Sequence, residues 1–220
     1  MPDLPVKTPQ PSTPAPAAVP AGPPMTTVNP GKFGASGSVA AVVNPNGTKS
    51  YTAVITGEVL APGNYIQLLD TLYHAKKGDT ITIKIASPGG MVETGSALLT
   101  AFENTQAHVK TIGIGLVASI AAIIWLAGHE HEMLPGATLM VHGPSGLQMG
   151  KVSSIKEECE QIGEYFEYML KKLSKGILTD EQLNRVLTKR EDLFIPGDQL
   201  KNTTVVSDPS EVTLVAQTGD

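Results

Sequence analysis

The sequence predicts an α/β fold, with repeated βαβ units arranged around a mainly parallel sheet. Three observations carry that expectation. Short β-rich runs alternate with stretches of helical apolar spacing through the middle of the chain. Such alternation requires crossover connections, and crossovers produce parallel strands. The length of 220 residues suits one domain plus an extension, and an apolar share of 41% is enough to bury a core.

The extension comes first. Residues 1–30 hold ten of the seventeen prolines. Proline fixes φ and lacks an amide donor, so neither a helix nor a sheet ladder is expected there. A disordered, extended segment is predicted; the functional alternatives are a removable propeptide or a partner-binding arm. The segment has no apolar core of the secretory kind. A folded domain is expected over 31–208 and a flexible tail over 209–220.

Order should begin near Val39. "VAAVV" and "SYTAVIT" are β-rich runs separated by the turn signal "NPNGTK". Tyr65, Leu68, Leu69, Leu72 and Tyr73 then have helical spacing, with Gly78 as a stop. "TITIKIA" reads as a strand, and "SPGG" turns the chain into a helix over about 92–105. "VKTIGIG" is the next strand, "GIGLVA" a turn, "ASIAAIIWLAG" a helix and "ATLMVH" a strand. A long amphipathic helix is predicted over 153–175, with Ile155, Ile162, Tyr165, Phe166, Met169 and Leu173 on its apolar stripe. "TDEQLNRVL" begins a shorter helix, with Thr179 and Gln182 at capping-box spacing.

Charge and cysteine content exclude several classes. The net charge is −5, and no basic block is present to hold phosphates, so nucleic acid is not an expected partner. The single cysteine, Cys159, forms no intramolecular disulfide, and a reducing, cytoplasmic setting is expected. It sits in a helical pattern, where packing or idleness is its expected part. The apolar run over 112–128 is too short and glycine-rich for a membrane span, so a soluble protein is expected.

Four features could carry chemistry. Ser87 to Gly90, "SPGG", directly follow a strand; the glycines permit backbone angles closed to other residues and could aim an N–H at a bound carbonyl. Ser119 opens a helix, where free N–H groups favour an anion such as the tetrahedral oxyanion of acyl transfer. The N–H of Ile120 is placed to help hold that charge. His142, at the end of a strand, could take the Ser119 proton. A carboxylate in "KREDLF" could orient His142, and spacing does not choose between Glu191 and Asp192. Taken singly, Ser119 reads as a packing residue and "SPGG" as an ordinary turn.

Taken together, "SPGG", "GLVASIAA", "LPGATLMVHGP" and "REDLF" resemble, in order and spacing, the ClpP family of serine peptidases. The likeness covers about residues 51–208. It implies a ClpP/crotonase-like fold with a protruding handle helix and a peptidase domain over 31–208. The implied nucleophile is Ser119, the base His142 and the orienting carboxylate Asp192, which holds the family's place before Phe194. Gly90 and Ile120 become the oxyanion-hole amides, with Gly89 beside them. The resemblance also implies a homo-oligomer of heptameric rings, stacked through the handle as a tetradecamer. Its substrates would be unfolded proteins or peptides, and bond cleavage would need no cofactor and no metal.

Several positions depart from the family pattern. Ala86 stands where the family usually has Asn, and "SIAA" replaces "SMGA". The stretch after Phe194 lacks the usual ending, and the proline-rich front replaces the short axial loop. These departures resemble divergent ClpP-like proteins of phages, some of which process capsid proteins. They leave open whether an AAA+ unfoldase is a partner, and whether host or phage is the origin.

"HEHE", His129 to Glu132, has metal-binding residue types but not the HExxH spacing, and is expected in a polar connection. "GIGLVAS" lacks the pattern of a phosphate loop. Crotonase-type acyl-CoA enzymes need carboxylate bases and no serine nucleophile. A Ser-Lys dyad finds no lysine at the place of His142. A catalytically silent ClpP-like assembly component is the non-enzymatic alternative.

Overall fold

The computed structural model describes residues 36–143 and 152–200. The segments 1–30 and 209–220, and the "GPSGLQMG" stretch before the long helix, lie outside or almost wholly outside these. Among the described residues seven strands make one mixed sheet: β1 (Val39–Val43), β2 (Lys49–Thr56), β3 (Thr80–Ser87), β4 (His108–Ala118), β5 (Glu130–Met133), β6 (Thr138–Val141) and β7 (Leu193–Pro196). Their order is β1-β2-β3-β4-β6-β7, with β5 also paired to β4. The four inner pairings are parallel, and the β1–β2 and β6–β7 pairings are antiparallel.

Among the described residues five α-helices accompany the strands: α1 (Ile66–His74), α2 (Val92–Asn104), α3 (Ile120–Leu126), α4 (Val152–Leu173) and α5 (Asp180–Leu187). Along β3, Ile81, Ile83 and Ile85 are fully buried while Thr80 and Lys84 are exposed. That period-two alternation marks a sheet with one face in the core. Helix α3 is buried on every side from Ile120 to Leu126, each large side chain contributing about 1.5–3 kcal/mol of burial. The Trp125 indole N–H donates to the Glu132 carbonyl at 2.9 Å, and the Thr111 hydroxyl to the Trp125 carbonyl at 2.6 Å. These bonds fix α3 against β4 and β5. Asp79, buried before β3, accepts the N–H groups of Lys49 at 2.7 Å and Lys76 at 3.0 Å. It ties the start of β2 to the start of β3.

Several elements differ from expectation. Tyr73 is 53% exposed, because it lies off the Leu68–Leu72 stripe that faces the core. Strand β4 runs on through Ala118, so "GIGLVA" is strand rather than turn. Its glycines permit an irregularity instead, since β3 shifts register between Ile85 and Ser87. "HEHE" is largely β5, not a connection. Lys110 on β4 binds Glu130 at 2.7 Å and Glu132 at 3.0 Å, and this cross-strand pairing accommodates a polar strand. Strand β7 is an addition, short enough that its alternation escapes notice. The Thr179 capping box forms as expected, with the Gln182 N–H donating to Thr179 at 3.2 Å and the Thr179 N–H to Gln182 at 2.8 Å. In α4, Phe166, Met169 and Leu170 are buried, while Lys156, Glu157, Glu160 and Gln161 stand exposed. Among the described residues no helix is long and apolar enough to cross a membrane.

Candidate active site

Ser119 occupies the junction between β4 and α3 with φ 56° and ψ −128°. A side chain in this region costs about 1–3 kcal/mol, so the surroundings must enforce it. The Ser119 N–H donates to the Met140 carbonyl of β6 at 3.1 Å, and its carbonyl accepts the Ala122 N–H at 3.0 Å. The half-buried side chain makes no cap hydrogen bond to α3. A serine that filled a gap would be enclosed, and a capping serine would bond the first turn. Ser119 does neither.

The "SPGG" turn meets it. Gly89 has φ +100° and Gly90 φ +150°. Val59 donates to the Gly89 carbonyl at 2.8 Å and accepts the Met91 N–H at 2.8 Å, a parallel bridge centred on Gly90. In that pattern the central residue directs its own N–H away from the partner. Among the described residues, neither the Gly90 N–H nor the Ile120 N–H is paired with a backbone carbonyl. A Cβ on Gly89 would lie 2.5 Å from the Ser119 Cβ and 3.2 Å from its Oγ. Only glycine lets the turn approach the serine so closely. Gly95 of α2 serves Ile120 in the same way, since a Cβ there would overlap its side chain. Ala121, where the resembled family has Gly, is fully buried.

Sheet register brings the other two residues near. The last β4–β6 pair is Ala118 with Met140, so the next step sets Ser119 beside Val141. The terminal β6–β7 pair is Val141 with Leu193, so the next step sets His142 opposite Asp192. Both line a cleft of about 660 Å³. Phe166, Val186 and Leu187 give it an apolar part, and Glu160, Glu164 and Glu167 of α4 face it together with the basic Lys156 and Arg190. Ser119 is not among its lining residues, and no hydrogen bond joins His142 to Ser119 or to Asp192 among the described residues. Glu191 is engaged elsewhere. Its carboxylate accepts the Arg185 Nε–H at 2.7 Å, and this bond holds its pKa below the usual carboxylate range. Cys159 is exposed and lines the cleft rather than packing in a core.

The "HEHE" residues do not converge. Val109 N–H donates to His129 Nδ1 at 3.0 Å, and Glu130 bonds Lys110 and His108. His131 is buried edge-on against Trp125 at 4.8 Å, and neither ring nitrogen finds a hydrogen-bond partner among the described residues. Strand alternation sends the histidine at 131 and the two glutamates to opposite faces. Among the described residues no three His, Cys, Asp or Glu side chains are grouped to hold a metal ion.

The cleft walls carry no sequence signal that marks them as such. Phe166 and Val186 carry a helical stripe, which says that they face something apolar, not that they face the neighbourhood of His142. Over residues 31–197, most of the chain, the sequence matches the family model described as Clp protease. That match and the strained serine at a strand-to-helix junction point the same way: the chain belongs to the Clp protease family, and its activity is that of a serine-type endopeptidase.

Proposed function

We propose that Ser119, His142 and Asp192 form the catalytic triad of this peptidase. The carrying observation is the positive-φ Ser119 with its uncapped side chain, closely approached by Gly89 and flanked by the strand β6 that ends one residue before His142. Ser119 Oγ attacks the scissile carbonyl carbon while its proton passes to His142. The N–H groups of Gly90 and Ile120 hold the oxyanion. The C–N bond breaks as His142 returns the proton to the leaving amine, and water then releases the acyl group by the same route. Asp192 fixes the tautomer of His142. Its place opposite His142 supports it over Glu191, whose carboxylate binds Arg185. Catalytic hydrogen bonds are often long without substrate and tighten around it.

The wider reading is a crotonase-type fold assembled into heptameric rings, stacked as a tetradecamer through the exposed part of α4. Enclosure would restrict substrates to unfolded chains or peptides, capsid proteins among them. The unmade relay bonds favour one second reading, a catalytically silent assembly component. A fluorophosphonate decides between the two. Labelling of folded protein at Ser119, absent in Ser119→Ala, is the expected result. No labelling of the assembled wild type would overturn the peptidase triad. A monomeric mass by light scattering would overturn the ring.

A further inference from the structure

We propose that Ser87 is a positioning residue for the oxyanion hole, acting through Gly89 on the amide of Gly90. The role rests on the triad and hole proposed above. Ser87 ends β3 and is 1% exposed. Its side chain faces inward with Ile81, Ile83 and Ile85, where an apolar residue would be expected. A buried hydroxyl needs a partner or a task. Ser87 Oγ accepts the N–H of Gly89 at 3.1 Å, a buried bond across the Pro88 corner.

The bond matters because of what the turn must hold. Pro88 contributes no donor. The Gly89 N–H is buried and pairs with Ser87, while the Gly89 carbonyl accepts from Val59 and the Met91 N–H donates to Val59. The two Val59 bonds hold the peptide planes on both sides of Gly90, and the Ser87 bond holds the Pro88–Gly89 plane that leads into them. The one amide they leave unpaired is that of Gly90. Gly89 at φ +100° also lies so near Ser119 that a Cβ on it would strike the Ser119 Cβ, so a change in its orientation reaches the nucleophile. Without the Ser87 hydroxyl the Gly89 N–H loses its acceptor. The Pro88–Gly89 peptide can then rotate in search of another, and the change passes through the Gly89 φ and ψ to the next peptide, which carries the Gly90 N–H. A glycine pair offers little intrinsic resistance to such rotation.

The test compares Ser87→Ala, Ser87→Thr and Ser87→Val in the full chain. Thr and Val have the same shape, so any overpacking by the extra methyl is common to both. Only Thr keeps the acceptor. Each variant is assayed for peptide hydrolysis and for affinity to a peptide boronate, whose tetrahedral adduct uses the hole. Ser87→Ala and Ser87→Val should lose about ten- to a hundredfold in kcat with KM little changed. Boronate affinity should fall in parallel, and Ser87→Thr should keep most of both. Equal behaviour of the Thr and Val variants would overturn the role, as would a loss confined to KM. A wild type that neither cleaves peptides nor binds the boronate would instead overturn the peptidase triad, and Ser87's role with it.

Discussion

Gly89→Ala measures how closely the "SPGG" turn is fitted to Ser119. The new Cβ would lie 2.5 Å from the Ser119 Cβ and 2.9 Å from the Ala118 carbonyl oxygen. Relief of the first contact needs a shift of about 1 Å to reach ordinary carbon separation. The backbone adds its own cost, since φ +100° is open to glycine and strained for alanine, by about 1–3 kcal/mol. Overpacking adds about 1–3 kcal/mol more. A loss of about 2–6 kcal/mol in stability is expected where the fold absorbs the change. Activity should fall further, by about a hundredfold, because a 1 Å misplacement at a reacting centre has that effect. Gly136→Ala supplies the control: its φ is +84°, yet a Cβ there meets nothing within 4 Å. That variant should show the backbone strain alone and full activity. Urea denaturation and peptide hydrolysis on both variants read the two costs separately. Gly89→Ala with the stability and activity of Gly136→Ala would refute the close-approach argument.

Asp79→Ala should cost about 2–4 kcal/mol in urea denaturation, because it leaves two backbone N–H groups without acceptors; Asp79→Asn, which keeps one acceptor, should cost less. Burial pushes the Asp79 carboxyl up, but the N–H groups of Lys76 and Lys49 outweigh it and hold its pKa low in the fold. Its contribution is therefore present at neutral pH and lost as pH falls below the ordinary aspartate range. His131 and His129 act at higher pH: burial holds both below the ordinary histidine value, while the unfolded chain titrates normally. Stability should be flat above about pH 7 and fall below it, by at most about 1.4 kcal/mol per pH unit for each such histidine. His131→Phe should flatten part of that slope, and an unchanged slope would show that His131 takes a proton in the fold as readily as outside it. Asp192→Asn should lower kcat by about 10²–10⁴-fold with geometry retained, whereas Glu191→Gln should leave kcat within about twofold.

The course of the chain was legible because hydrophobic period and turn chemistry are local. The Thr179 capping box, the inward alternation of Ile81 to Ile85 and the glycine turn after Ser87 each follow from a few adjacent residues. What escaped depends on distant partners. The polar strand Glu130–Met133 is stabilised by Lys110, twenty residues before it, and β7 by its register against β6. Read alone, each looks like a loop. The glycines at 113 and 115 suggest a turn until the register shift against β3 shows that they bend a continuous strand. The candidate site was legible as residue types in order. Its geometry was not, since the φ of Ser119 and the contact with Gly89 arise only once three strand ends lie together.

A crystal structure of the assembled protein with a bound peptide boronate tests the central claim most directly. The account predicts a boron–oxygen bond to Ser119 Oγ, with the oxyanion-mimicking oxygen about 2.7–3.1 Å from the N–H groups of Gly90 and Ile120. His142 should bridge the adduct and Asp192. Boron bound to another side chain, or to Ser119 with that oxygen turned to solvent, would contradict it.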